Sequence, residues 1–236
     1  MLWKKSWPPE AALTLLGGLV AAFLFGNVAA GLLRHAGVSG FRHDDSAGNV
    51  LVATLSFQGA ALVLGTVFLK FNDLGWREVL GMGHWKRSLP LALAALAVIA
   101  PVMFGLKFAS ALALQKFGWP VAEQEAVDLI ISTKSPWLSA YWIGFAIVLA
   151  PLAEEFVFRG VLFSLAKKFG WPKLGWFGAS FLFALIHFNA PTFLPLFAFA
   201  LALTWLYEKT EGLLAPVAAH SLFNTANLAL LWLLKP

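Results

Sequence analysis

The chain contains no cysteine, and charged residues make up only 12% of its 236 residues. The missing thiols exclude disulfide bonds and thiolate metal sites, so any chemistry depends on histidine, carboxylate and hydroxyl groups. An ordinary soluble domain has roughly 25% charged residues. Here 60% of the residues are hydrophobic instead, which excludes a water-soluble globule and indicates an integral membrane protein.

Basic residues are in excess, giving a formal net charge of +5, but they do not form one basic patch. They are scattered at the ends of apolar runs, as lysine and arginine are in membrane proteins. This pattern argues against nucleic-acid binding. We therefore expect membrane lipid, and no nucleic acid, as a partner, and no sequence pattern indicates an oligomeric state.

Seven apolar runs predict an all-α, polytopic membrane protein with about seven transmembrane helices in a single domain, residues 1–236. The fifth and sixth runs are short and are separated by only three residues. We expect them to form a short helical hairpin beside a polar cavity that opens toward the cytoplasmic half of the membrane. The runs cover residues 11–33, 50–69, 89–114, a stretch beginning near 137, 174–188, 192–207 and 213–234.

The fourth run carries the largest polar intrusion, two adjacent carboxylates and an arginine. Each unpaired charge costs about 3 kcal/mol or more in a membrane helix, so such residues face protein or a water-filled cavity. Glu155 and Arg159 are spaced i, i+4 and are predicted to form an ion pair. Glu154 points in another direction and has no partner nearby in sequence, so we interpret it as the carboxylate available for chemistry. Pro151 removes a backbone hydrogen bond one turn earlier and frees a carbonyl near Ile147.

Two histidines and an asparagine interrupt the later apolar runs. His187 ends the fifth run, whereas His220 and Asn224 lie i, i+4 on one face of the last helix. Considered singly, each histidine is ordinarily a packing or interfacial residue, and His220 with Asn224 is compatible with interhelical hydrogen bonding. Considered with Glu154, the three groups form a general base with oxyanion donors.

The order of these motifs on separate helices resembles the CAAX prenyl protease and bacteriocin-processing family (CPBP, or Abi) of intramembrane glutamate-type endopeptidases. The resemblance covers about residues 137–228, which is the predicted catalytic region. The family often has glycines in the helix before the last motif, and residues 199–204 have none, so the packing of that helix is in question. The matching motifs are Glu154-Glu155-Phe156-Val157-Phe158-Arg159 followed by Gly160, Phe183 to His187, and His220 to Asn224.

The resemblance implies a CAAX-protease-like hydrolase that cleaves a peptide or lipidated-peptide substrate. By the same resemblance Glu154 and His187 activate a water, and His220 and Asn224 hold the oxyanion. The remaining pair, Glu155 and Arg159, supports them. We expect Glu154 to lie within direct or one-water reach of His187.

Metal dependence is left open by the resemblance, because family members have been described both as metalloproteases and as glutamate proteases. Zinc bound by Glu154, His187 and His220 is the alternative. The chain has no His-Glu-x-x-His helix, and a Glu155 paired with Arg159 suits a metal site poorly. These features favour a site without a cofactor.

Two other functions share the same features: a non-catalytic membrane immunity or binding protein on this fold, and a small transporter, in which buried charges are also normal. The absence of an inverted repeat argues against the transporter. The composition is typical of a bacterial protein, and we expect it in a bacterial or archaeal cell membrane. Segments assigned to the inside carry more lysine and arginine, which places the N-terminus in the cytoplasm.

Overall fold

The computed structural model describes residues 2–42, 47–121, 125–133 and 135–233. These ranges are helical apart from short connections and contain no strand, which confirms the predicted all-α fold. The predicted single domain and the last apolar run also include positions outside the described residues, namely 1, 43–46, 122–124, 134 and 234–236. The single domain therefore remains a prediction.

Nine helices of at least five residues, and three shorter 3-10 turns, occur within the described ranges. Two helices, α2 and α6, are uninterrupted helical runs that alternate between α and π geometry. The helices are α1 (Pro9–His35), α2 (Ala47–Phe71), α3 (Trp76–Leu80), α4 (Trp85–Lys116), α5 (Glu125–Ser132), α6 (136–168), α7 (Pro172–Leu185), α8 (Ala190–Thr210) and α9 (Leu214–Leu233).

Five helical stretches are long and apolar enough to cross a membrane by length and composition, which confirms a polytopic membrane protein. They are α1, α2, the stretch Trp76–Lys116, α8 and α9. The other two expected spans are the helices α6 and α7. With 14 residues, α7 reaches about 21 Å, short of a hydrocarbon core of about 30 Å.

The expected hairpin has one short arm, because α8 is longer than the apolar run predicted. Its 21 residues reach about 31 Å, enough for a full crossing. The helix begins early because the Asn189 side chain caps it by accepting from the Thr192 N–H at 3.1 Å. It also continues past Tyr207, since Glu208 pairs with Lys167 at the end of α6 and with the Trp176 indole of α7.

The centre of the structure is α6, which contacts α2, α7 and α9. Its aromatic residues Phe156 and Phe163 are fully buried. On α2, Gly65 lies directly against Phe156, since an added Cβ would be 2.6 Å from that ring. This close approach of α2 to α6 brings the amino-terminal helices to the region that contains the carboxylates.

The amino-terminal residues are hydrogen-bonded to the end of α6 and to α8. The Leu2 N–H donates to the Tyr207 hydroxyl at 3.0 Å, and the Trp7 indole donates to the Leu2 carbonyl at 2.7 Å. Lys168 Nζ donates to the carbonyls of Lys5 and Trp7 at 2.8 Å each. These contacts close one end of the helical bundle around α6 and α8.

Candidate active site

Four ionisable side chains from two helices meet inside the bundle. Glu154, Glu155 and Arg159 project from α6, and His220 projects from α9. All four are more than nine-tenths buried, with exposed fractions of 7%, 0%, 1% and 4%. Charges buried to this extent must be paired and hydrogen-bonded, so their partners define what the site can do.

The i, i+4 ion pair expected between Glu155 and Arg159 is present. Arg159 Nη1 donates to Glu155 Oε1 at 2.9 Å. Its Nη2 donates to the Ala200 carbonyl of α8 at 2.9 Å, and its guanidinium carbon lies 4.7 Å from the Phe183 ring centroid of α7. One guanidinium thus connects α6, α7 and α8 through charge-assisted and cation–π contacts.

The glycine-free segment of α8 packs through Ala200. Ala200 is fully buried, and its carbonyl accepts from Arg159 and also from the Thr204 hydroxyl at 2.9 Å. Phe199 beside it packs edge-on against the His220 ring, with centroids 5.7 Å apart. A small alanine therefore allows the close contact at this point of the helix that a glycine would otherwise permit.

His220 lies between the two carboxylates. Its Nδ1 is 2.9 Å from Glu155 Oε1, and its Nε2 is 3.9 Å from Glu154 Oε2. Because a carboxylate only accepts, Nδ1 carries the hydrogen of the shorter contact. The longer separation exceeds a hydrogen bond but is short enough for one water to bond both atoms. Sequence reasoning missed the His220–Glu155 bond, because it depends on how α9 packs against α6.

His187 has a defined tautomer at the end of α7. Its Nδ1 lies 2.7 Å from the Phe183 carbonyl, and since a carbonyl cannot donate, Nδ1 carries the hydrogen. In the neutral ring the lone pair is then on Nε2. The imidazoles of His187 and His220 border the same Phe183 ring, at centroid distances of 5.0 and 5.7 Å.

Glu154 and His187 make no direct hydrogen bond or ion pair within the described part of the chain. The expected approach through one water remains a prediction, as does a polar cavity shared by all four predicted catalytic residues. A cavity of about 670 Å³ lies between α1 and α2 and is lined by other residues, including Asn27 and His35.

Asn224 is bound to the carbonyl that Pro151 leaves unpaired. Residues Phe145–Leu149 form a π turn, in which the N–H of Ala150 bonds the carbonyl of Phe145, five residues earlier. In this π geometry an N–H at position 151 would bond the Ala146 carbonyl, five residues earlier, but Pro151 has none. In α geometry the carbonyl left free would be that of Ile147. Asn224 Nδ2 donates to the Ala146 carbonyl at 2.8 Å, which leaves its second amide hydrogen available.

Gln58 is a site residue that the sequence analysis did not identify. It lies on α2, and its Nε2 donates to Glu154 Oε1 at 3.2 Å. The available signal was an amide side chain in an otherwise apolar run, which is unusual in a membrane helix. Its partner was not readable from the sequence, because 96 positions separate the two residues.

Zinc bound by Glu154, His187 and His220 remains the alternative prediction for this site. The described residues contain no group of three His, Asp or Glu side chains placed to hold a metal ion. The Nδ1 atoms of His187 and His220 are bonded to Phe183 and Glu155, which leaves Nε2 of each ring for a water or, in the alternative, for a metal ion.

Comparison with known proteins finds similarity over the segment that contains this cluster. The curated UPF0177 protein YaiF of Lactococcus lactis subsp. lactis (strain IL1403) is 26% identical over 146 residues, 60% of this chain. The alignment spans 63% of the relative's own length. No solved structure is significantly similar to the chain.

Residues 136–226 match the family described as type II CAAX prenyl endopeptidase Rce1-like. This segment runs from the start of α6 into α9 and includes all four ionisable residues of the buried cluster. Gln58, which contacts Glu154, lies outside it. The match supports a protease-type function in a membrane. It confirms, for this part of the chain, the resemblance to the CAAX prenyl protease and bacteriocin-processing family that the three motifs predicted.

Proposed function

We propose that the chain is an intramembrane endopeptidase of the CAAX-protease type that hydrolyses a peptide bond with an activated water. The observation that carries this proposal is the buried cluster in which Glu154 and Glu155 of α6 approach the same His220 ring of α9. Residues of both helices lie in the segment that matches the endopeptidase family. A structural ion pair needs Glu155 and Arg159 but gives no reason for a second buried carboxylate.

The base is Glu154, because its bonding leaves it more available than Glu155. Glu155 Oε1 accepts two bonds of 2.9 Å, from Arg159 and from His220. Glu154 receives one amide bond of 3.2 Å at Oε1, and the neighbour of its Oε2 is 3.9 Å away. An oxygen with a loosely held neighbour can accept a proton from water without breaking a strong hydrogen bond.

His187 orients the water. Its Nδ1–H is committed to the Phe183 carbonyl, so the Nε2 lone pair accepts a hydrogen bond from the water that Glu154 deprotonates. His187 therefore accepts a hydrogen bond from the water in a fixed tautomer, whereas Glu154 accepts the proton that the water loses.

His220 and Asn224 supply the oxyanion donors. Since Nδ1–H of His220 is used by Glu155, Nε2 donates to an oxyanion only when the ring is doubly protonated. A doubly protonated His220 balances the charges of two carboxylates and one guanidinium, and a neutral buried cluster avoids an uncompensated charge. Asn224 donates its second amide hydrogen, because the first is held by the Ala146 carbonyl.

The reaction balances with these groups alone. Water oxygen bonds the scissile carbonyl carbon, its proton moves to Glu154, and the carbonyl electron pair becomes the oxyanion held by His220 and Asn224. When the tetrahedral intermediate collapses, the carbon–nitrogen bond breaks and Glu154 returns the proton to the leaving amine. The products are a carboxylic acid, which ionises when it reaches water, and an amine, and Glu154 is again ionised.

The substrate class is a peptide or lipidated peptide that reaches the site within the membrane. The cluster lies among helices whose outer surfaces expose large apolar side chains, such as Phe25, Val63 and Val98. A substrate approaching through lipid must therefore carry an apolar segment next to the scissile bond.

The test compares peptide termini in membranes from cells that produce different variants. New termini should appear with the unaltered protein and be absent with Glu154→Gln at equal accumulation in the membrane. Glu10→Gln is the matched control, because Glu10 is a carboxylate at the start of α1 outside the cluster. Identical termini with Glu154→Gln would refute the peptidase function and favour a binding or immunity protein.

A further inference from the structure

Within the described ranges, Gln58 is the one polar group in contact with Glu154 that lies outside the family-matched residues 136–226. It is half-buried on α2, a helix with large apolar side chains such as Leu55 and Val63 exposed on its outer face. An amide in such a helix is costly unless it bonds inside the protein. Its Nε2 donates to Glu154 Oε1 at 3.2 Å, so the amino-terminal helices reach the site through this side chain.

The hydroxyl side chains of α2, by contrast, donate to carbonyls of their own helix. Thr54, Ser56 and Thr66 donate to the carbonyls of Leu51, Ala53 and Leu62, at 2.9, 3.1 and 2.7 Å. Such bonds to a preceding carbonyl satisfy a polar side chain without any tertiary partner. Among the amide and hydroxyl groups of residues 54–66, Gln58 alone donates to another helix, and its acceptor is Glu154. Thr66 only accepts across helices, from the Trp76 indole of α3 at 2.9 Å.

A local distortion of α2 fixes the position of Gln58. Residues Leu55–Gly59 form a π turn, in which the Ala60 N–H bonds the Leu55 carbonyl. A π turn adds one residue to the helix and rotates the side chains that follow, and such turns are frequent at functional sites. Gly26 of α1 lies against this turn, since an added Cβ would be 2.6 Å from Ser56 Cβ. Close packing on that side holds the turn against α6.

From this geometry we propose that Gln58 is a positioning residue for the catalytic base, an inference that rests on the proposed peptidase function. The Gln58 amide holds Oε1 of Glu154, and this directs Oε2 toward His220 Nε2 and the water. Gln58 itself does not touch the scissile bond. It acts by keeping the carboxylate in one orientation, which a rigid helical element does better than a loop.

The test replaces Gln58 with methionine in the full chain reconstituted in lipid vesicles. Methionine has a similar length but cannot donate a hydrogen bond, so it removes only the contact with Glu154. Ser56→Ala is the matched control, because it removes a side-chain donor of the same π turn that bonds Ala53 instead. Gln58→Leu replaces the methionine variant if that variant accumulates poorly.

The first readout is the infrared carboxylate band of Glu154, identified by its loss in Glu154→Gln. We expect Gln58→Met to shift this band and Ser56→Ala to leave it unchanged. An unshifted band in Gln58→Met would overturn the inference, since the bond would then not exist in the membrane. This measurement needs no substrate and is independent of the proposed function.

The second readout is the rate at which the Glu154-dependent peptide termini appear in membranes of cells that produce each variant. We expect about a tenfold slower rate with Gln58→Met and an unchanged rate with Ser56→Ala. A shifted band together with an unchanged rate would overturn the positioning role. If Glu154→Gln itself forms the termini normally, the proposed function fails, whereas the band still decides whether Gln58 holds Glu154.

Discussion

The two adjacent carboxylates of α6 have different surroundings although a single peptide bond separates them. Glu155 is fully buried, and its Oε1 accepts from Arg159 and from His220 at 2.9 Å each. Glu154 has one bond of 3.2 Å from Gln58, and its other oxygen is 3.9 Å from His220 Nε2. The same helix therefore carries a carboxylate with two short hydrogen bonds next to a carboxylate with one longer hydrogen bond.

Under the proposed function, this difference assigns Glu155 to structural support and Glu154 to the chemistry. The bonds of Glu155 belong to a network that continues through Arg159 to the Ala200 carbonyl and the Phe183 ring, so it connects four helices. Pairs of ionisable groups in contrasting environments are a common basis for different catalytic roles. We therefore expect substitutions around Glu155 to reduce stability, and substitutions around Glu154 to reduce activity.

The largest effect on stability is expected for Arg159→Ala. It leaves Glu155 as a buried charge without its cation, and breaking a buried pair in this way costs about 3–5 kcal/mol. The folded yield in detergent and the thermal unfolding temperature should both fall, and activity should fall with them. Arg87→Ala, at an exposed position of α4, is the control that should remain near the unaltered protein. Normal yield with Arg159→Ala would contradict the supporting role of the pair.

The comparison between the carboxylates is tested directly by Glu154→Gln and Glu155→Gln. With Glu154→Gln we expect peptide cleavage to fall by about a hundredfold or more, since the general base is lost. Its unfolding temperature should change little, because only a weak amide contact and a distant histidine are altered. With Glu155→Gln the unfolding temperature should fall clearly, because two charge-assisted bonds are weakened. Equal effects of the two substitutions on stability would remove the distinction.

A smaller effect is expected at Asn224, which has a structural bond to the Ala146 carbonyl and a proposed role as an oxyanion donor. Asn224→Leu leaves the Ala146 carbonyl without a donor, which costs about 1–3 kcal/mol of unfolding free energy. Pro151→Ala restores a backbone N–H near this carbonyl, so Asn224→Leu should cost less stability in that background. Thermal or denaturant unfolding of the four proteins of this double-mutant cycle gives the coupling. Additive effects would show that Asn224 does not compensate for Pro151.

Local spacing in the sequence predicted much of the structure. The helix ends agree with the apolar runs to within about four residues. The extra turn of α8 runs through polar residues that pair with α6 and α7. The Glu155–Arg159 pair was also predicted, because i, i+4 geometry is a property of one helix.

Contacts between helices were not predictable in the same way. The bonds His220–Glu155 and Gln58–Glu154 depend on how α9 and α2 pack against α6. The π turns of α2 and α6 add residues to the helical register, so a uniform rotation of 100° per residue assigns the wrong faces beyond them. The sequence therefore indicated candidate residues for the chemistry but not which groups hold them in place.

The smallest effect on activity is expected from removing metal ions. This experiment tests whether Glu154 is a general base or a metal ligand. If Glu154 is a base held by Gln58 and oriented toward His220, purified protein should contain substoichiometric zinc, and strong chelation should leave cleavage nearly unchanged. A zinc site would bring Glu154 and both histidines onto one ion, and the described residues hold no such three-ligand group. Stoichiometric zinc that follows activity and disappears in His187→Ala would assign Glu154 to the metal instead. In that case the weak bonding of Glu154 would reflect an unfilled ligand position, and Glu155 would remain the supporting carboxylate in either mechanism.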